Sequence, residues 1–175
     1  MLFFVDAAHF VFGAFACVVW CWARVWIRAP SGRERFNVLG ALNAVTKEVI
    51  TLTHTGYINS QSVCALLQKL KTQTHPDLPI SVVLDNARYQ RCVLVQNVAA
   101  DLQIELLFLP TYSPNLNLIE RLWKFVKKRC LYGRYHDNFA AFTAAIETCL
   151  AQTQTTHSVA LHSLLAPNFQ TFEKA

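Results

Sequence analysis

Three carboxylates in this chain stand where chemistry on a charged ligand would need them. Asp6 closes the apolar run Leu2-Phe3-Phe4-Val5, and Asp85 closes Ile80-Ser81-Val82-Val83-Leu84. Glu120 is followed by Lys124, Lys127 and Lys128 at i+4, i+7 and i+8, the spacing of one helix face. An acid framed by lysines suits an anionic ligand that brings metal ions with it, such as a phosphate backbone. Cleaving a phosphodiester requires a nucleophile, neutralised phosphoryl oxygens and a stabilised leaving oxygen. Two divalent ions about 3.5–4 Å apart meet all three needs and require carboxylates around them. Mg²⁺ takes oxygen ligands and retains waters, so three carboxylates and substrate oxygens suffice.

The elements that must position these groups can be read around them. Both Asp-terminated runs are short, apolar and β-branched or aromatic, as buried strands of an α/β sheet are. An Asp ending such a strand lies at a carboxyl edge, where open α/β sheets place ligands. A strand at 104–109 leads into a Pro-bounded turn, and Ser113 before Pro114 is a helix-start signal. The helix expected at 115–131 has an apolar stripe of Leu116, Ile119, Trp123, Val126 and Cys130, with Glu120 at the stripe's edge. The remaining pattern predicts strands at 2–6, 10–13 and 16–27, a turn at Ala29-Pro30-Ser31-Gly32, and strands at 35–43, 48–53 and 80–85. Helices are expected at 60–72 with Ser60 as cap, at 87–101, at 138–152 capped by Asn138, and near 158–165.

Composition bounds the classes. A chain of 175 residues with 53% hydrophobic residues forms one domain with a good core, and its mean hydropathy of +0.25 suits a covered sheet. The net charge of +5 and pI near 9.0 favour an anionic partner without identifying it. Basic residues crowd two segments: Arg121, Lys124, Lys127, Lys128, Arg129 and Arg134, and Arg24, Arg28, Arg33 and Arg35. Six cysteines (Cys17, Cys21, Cys64, Cys92, Cys130, Cys149) form no CxxC pair and read as free thiols of a reducing cytosol rather than zinc ligands. Residues 10–23 carry no charge, but the stretch is short of the roughly 20 residues a spanning helix needs. The acid Asp6 precedes it, where a signal peptide would be basic.

Asp6, Asp85 and Glu120 at this spacing resemble the DDE catalytic domain of the mariner-like transposase superfamily. The phrases Leu84-Asp85-Asn86-Ala87-Arg88, Ser113-Pro114-Asn115-Leu116-Asn117-Leu118-Ile119-Glu120 and Arg35-Phe36-Asn37-Val38-Leu39-Gly40-Ala41-Leu42 are similar to its bacterial insertion sequence 630 branch. The resemblance covers about 3–150. It implies a ribonuclease-H-like α/β fold, a mixed sheet of about five strands flanked by helices, with Asp6 and Asp85 on neighbouring parallel strands. The catalytic domain would span 1–152, with 153–175 a tail bearing a short helix. The implied activity is metal-dependent DNA strand cleavage and strand transfer in cut-and-paste transposition. Asp6 would bridge two Mg²⁺ ions, or Mn²⁺ in their place, with Asp85 and Glu120 completing one site each. Double-stranded DNA is the implied partner, held by a homodimer in the bacterial cytoplasm at the nucleoid.

The family also carries a helix-turn-helix region ahead of the first Asp, and here Asp6 comes too early for one. A separately encoded helix-turn-helix protein, or a truncated relic, is the expectation that follows. Around the triad, Asn86, Arg88, Asn117, Arg121, Lys124, Lys127 and Lys128 are the candidate nucleic-acid contacts. Several have everyday alternatives. Asn86 serves equally as a turn residue after a strand, Asn117 as a helix cap, and Arg88 and Arg91 as solvated surface. His9 reads first as a satisfied strand-end histidine, and Trp20, Trp22 and Trp26 as one face of a strand. The family often carries His where Gln90 stands, which leaves one local contact open. A different ribonuclease-H-fold nuclease, a DNA-binding remnant without chemistry and a small membrane protein are the competing readings.

Overall fold

A computed structural model describes residues 1–13, 22–23, 34–110 and 113–169. Five strands form one sheet in the order β3-β2-β1-β4-β5: β1 (Leu2–Val11), β2 (Arg35–Asn43), β3 (Val49–His54), β4 (Ile80–Leu84) and β5 (Ile104–Phe108). The three N-terminal strands pair antiparallel, whereas β1–β4 and β4–β5 pair parallel. This is the mixed five-stranded sheet that the resemblance implies. Among the described residues five helices cover it: α1 (Ser60–Gln73), α2 (Val93–Asp101), α3 (Ile119–Cys130), α4 (Phe139–Ala151) and α5 (Ser158–Leu164).

Strand alternation sorts the core into two layers. Phe3, Val5, Leu39, Ala41, Val82 and Leu84 point to α1 and α2, whose Leu66, Leu67, Leu70 and Val95 are fully buried. Phe4, Ala8, Phe10, Val38, Leu42 and Val83 point the other way, to Ile119, Leu122, Trp123 and Val126 of α3 and Phe142 and Ile146 of α4. Leu161 and Leu165, at the C-terminal end, join that second layer.

Several boundaries differ from the sequence expectations. The strands expected at 2–6 and 10–13 are one strand, because the β1–β2 ladder runs unbroken from Phe3↔Asn43 to Val11↔Arg35. Asp6 is thus inside a strand rather than at its end. The parallel partner stops earlier: β1 pairs β4 only at Leu2, Phe3 and Phe4. Asp6 therefore still lies just past the carboxyl end of the parallel part of the sheet. Of the strand expected at 16–27 only Trp22 and Ala23 are described, both exposed in a bend. Trp20, Trp26, Cys17, Cys21 and the turn at 29–32 lie outside the described residues.

Asn59, not Ser60, caps α1. Its side chain accepts from Ser62 N–H at 3.1 Å while Ser62 Oγ accepts from the Asn59 N–H, a capping box in which Ser replaces the usual Glu. The helix expected at 87–101 starts only at Val93. Asp85 Oδ1 accepts the Ala87 N–H at 3.2 Å, and short i→i+3 turns follow at Gln90 and Arg91, so the chain turns before it coils. The helix expected at 115–131 likewise begins with a separate 3₁₀ turn, Pro114–Leu116, before α3 opens at Ile119. No helix among the described residues is long and apolar enough to cross a membrane.

Candidate active site

The register of β1 and β4 sets the first two carboxylates side by side. Phe4 and Val83 are cross-strand partners, and Asp6 and Asp85 each follow two residues later. The same step along neighbouring parallel strands brings both to one row and one face, the face covered by α3. Glu120 occupies the first turn of α3, where a carboxylate also complements the helix dipole. The buried underside of α3, with Ile119, Leu122, Trp123 and Val126, presses on the sheet and holds Glu120 half-buried at the edge of the contact.

Asp6 feels the other two acids electrostatically. The Asp6 carboxyl is raised from its ordinary value to about 7, chiefly by burial and in the same direction by the charges of Glu120 and Asp85. The Ala7 backbone N–H and the Trp123 indole oppose that rise; the indole Nε1 donates to Asp6 Oδ2 at 3.1 Å. Tyr89 adds a neutral phenol nearby: burial pushes it up to about 12, with Asp85 and Asp6 contributing. The donor set is all oxygen and anionic, which suits a hard divalent cation such as Mg²⁺ or Mn²⁺. As the side chains stand, no three His, Cys, Asp or Glu among the described residues are grouped closely enough to hold an ion. The cluster fits a metal in charge and donor type, and ligation requires its side chains to draw in.

The other sequence-selected residues divide. Lys124 and Lys128 are exposed on the α3 face that follows Glu120, and Lys127 is half-buried with its ammonium 6.0 Å from the Phe10 ring centroid. Arg88 is exposed on the turn after Asp85. Asn86 donates from Nδ2 to the Leu109 carbonyl, tying the ends of β4 and β5 together. Asn117 is buried and donates to the Val5 carbonyl at 3.3 Å, fastening the chain before α3 to β1 beside Asp6. Its backbone carbonyl, not its side chain, accepts from Glu120 N–H. Arg121 donates to the carbonyls of Ala166 and Asn168 at 2.7 Å and of Leu164 at 3.3 Å, and lies over the Phe169 ring. Its guanidinium is occupied in holding the C-terminal segment against α3. Gln90 is fully buried. His9 is satisfied as expected, its Nδ1 2.6 Å from Asn37 Oδ1.

Trp123 and Tyr89 are the neighbours that sequence reading missed. A buried indole must place its N–H, and Trp123 stands one turn after Glu120, which was the available signal. Tyr89 carried none, because its closeness to Asp6 comes from the turn at 87–92.

This chain matches the family model of the DDE superfamily endonucleases over residues 23–143, more than half of its length, and it belongs to that family. Asp85 and Glu120 fall within the match and Asp6 lies ahead of it. Among solved structures it is similar to the Mos1 mariner paired end complex with Mn, with a TM-score of 0.67 and 15% identity, covering 98% of this chain and 56% of that one. The Mos1 strand transfer complex gives 0.65 and 15%, covering 94% and 51%. The catalytic core domain of BIV integrase gives 0.57 and 14%, covering 93% and 94%. These likenesses show the fold, that of ribonuclease-H-like transposase and integrase catalytic cores. The chain spans about half the length of the Mos1 chains and nearly all of the integrase core. No curated protein sequence matches it.

Proposed function

We propose that this chain is the catalytic part of a transposase of the insertion sequence 630 type, performing DNA strand cleavage and strand transfer. The observation that carries the reading is the convergence of Asp6, Asp85 and Glu120. Two neighbouring parallel strands and one helix bring them within electrostatic reach of one another, and Asp6 is raised first by burial and then by the charges of the other two. Asp6, Asp85 and Glu120 would hold divalent metal, Mg²⁺ or Mn²⁺. When bound, the metal supplies charge neutralisation at the phosphoryl group and a more acidic attacking water. The chain's own residues do the rest. Lys124, Lys128 and Arg88 offer exposed cations to the phosphates flanking the scissile bond, and Lys127 adds a weaker one from its seat on Phe10. Asn86 and Asn117 hold the strand ends and the start of α3, and Arg121 braces α3 from outside.

The partner in this reading is double-stranded DNA, both element ends and target, engaged by a homodimer at the nucleoid of a bacterial cytoplasm. Purified protein with supercoiled plasmid and Mg²⁺ or Mn²⁺ tests the chemistry. Metal-dependent nicking is expected from the wild type and not from Asp6→Asn, Asp85→Asn or Glu120→Gln. Substantial nicking by any of the three folded variants overturns the assignment. DNA binding without nicking in the wild type identifies a remnant that has lost its chemistry.

A further inference from the structure

Gly40 sits in the middle of β2, directly across the ladder from Asp6. Glycine weakens a strand, and here no positive φ requires it. Space requires it. A Cβ at this position would lie 2.7 Å from Cη2 and 2.9 Å from Cζ2 of Trp123, and 3.2 Å from Cδ1 of Ile119. The indole lies on the bare backbone of β2, 2% exposed, with Phe10 edge-on at 6.5 Å between centroids. From there its N–H reaches Asp6 Oδ2.

We infer that Gly40 and Trp123 form a positioning pair for Asp6: the glycine makes room for the indole, and the indole N–H fixes one carboxylate oxygen so that the other is presented to the ligand. An unrestrained Asp rotates about its side-chain bonds, and each ligand then has to stop that rotation. Tying Oδ2 down removes the cost in advance. Trp123 and Glu120 also share α3, so the helix that delivers one carboxylate orients another. The inference rests on the proposed role of Asp6 as a metal-holding carboxylate.

The decisive variant is site-specific replacement of Trp123 by 3-benzothienylalanine, which keeps the ring's shape and removes only the N–H. Gly40→Ala displaces the ring while leaving its N–H intact. Mn²⁺ affinity by calorimetry is the main readout, with plasmid nicking split into turnover and KM for DNA, and thermal melting as a fold control. Both variants should bind Mn²⁺ 10–100-fold more weakly, the range typical of lost outer partners of metal ligands. Turnover should fall in step while KM for DNA stays within about twofold. A purely packing role predicts wild-type Mn²⁺ affinity and turnover in the isosteric variant, and that result overturns the inference. Asp6→Asn in the same titration separates the two proposals. If it loses Mn²⁺ binding while the isosteric variant keeps it, only the positioning pair fails. If Asp6→Asn itself binds Mn²⁺ like wild type, the proposed site fails with it.

Discussion

The two faces of the sheet are built from the same strands to different ends. Toward α1 and α2 the apolar rows are continuous, Phe3-Val5 in β1, Leu39-Ala41 in β2 and Val82-Leu84 in β4. Toward α3 and α4 each row is interrupted at the same level: Asp6 in β1, Gly40 opposite it in β2, and Asp85 just past the end of β4. A single residue's shift moves a strand's side chains to the other face, so the alternation that builds a plain core on one side places two carboxylates together on the other. The interruption is costly, since it buries charge, and α3 mitigates it with an indole donor rather than a methyl group. One face is therefore expected to set stability and the other to set chemistry.

The strongest break of that division is at the carboxylates. Asp6→Asn, Asp85→Asn and Glu120→Gln should each lower nicking by about 10³-fold or more, with losses that do not add in double variants if the three act as the one site proposed. Each variant should remain folded by circular dichroism and keep most of its non-specific DNA affinity. On the opposite face, Leu66→Ala should show the reverse pattern. Leu66 is fully buried under the sheet, so its truncation should cost about 2–5 kcal/mol in urea unfolding. Turnover per folded molecule should be unchanged; a large loss of turnover would show that the faces are not separable.

The pH dependence of metal-free stability sharpens the comparison on the active face. Asp6 is raised from 3.8 to about 7, so the folded state holds a proton that the unfolded state releases between those values. Stability contributed by this group is full below about pH 4 and is lost as pH rises through about 7. The full loss is on the order of 4 kcal/mol. Melting temperature without metal should fall across that window, Asp6→Asn should flatten the fall, and Mg²⁺ or Mn²⁺ should raise the melting point most at the alkaline end. An identical profile in wild type and Asp6→Asn would contradict the buried, crowded position of this carboxyl.

The smallest effect concerns the lysines. Replacing Lys124, Lys127 and Lys128 with Ala should reduce the slope of log affinity against log salt by about 2–3, at about 0.9 per lost phosphate contact. Lys127 should contribute least, because its ammonium is engaged over Phe10. Sequence preference should barely change, since phosphate contacts position and base contacts specify. A wild-type slope would make this an ordinary solvated face.

Much of this molecule was legible in its residues. Short apolar runs ending in Asp marked β1 and β4, the stripe of Ile119, Trp123, Val126 and Cys130 marked α3, and Asn138 marked the start of α4, its side chain accepting from Ala141 N–H at 2.8 Å. These signals are local, carried by alternation, helical period and capping chemistry. The division of 2–13 into two strands failed because strand length follows the partner, and β2 offers β1 a ladder that runs from Phe3 to Val11. The helix expected from 87 failed because Asp85 and Asn86 spend their side chains on nearby backbone, Ala87 N–H and the Leu109 carbonyl.

The sequence by itself picked out the three acids, the basic residues beside Glu120 and most of the order of strands and helices, because each is written in neighbouring residues. Tertiary structure alone decided what those acids feel. The raised Asp6, the indole that holds it, the glycine that admits the indole, and the commitment of Asn117 and Arg121 to carbonyls far along the chain all depend on which surfaces meet. Desolvation, close packing and hydrogen bonding between distant segments are properties of contact in space, and no local pattern of residues encodes them.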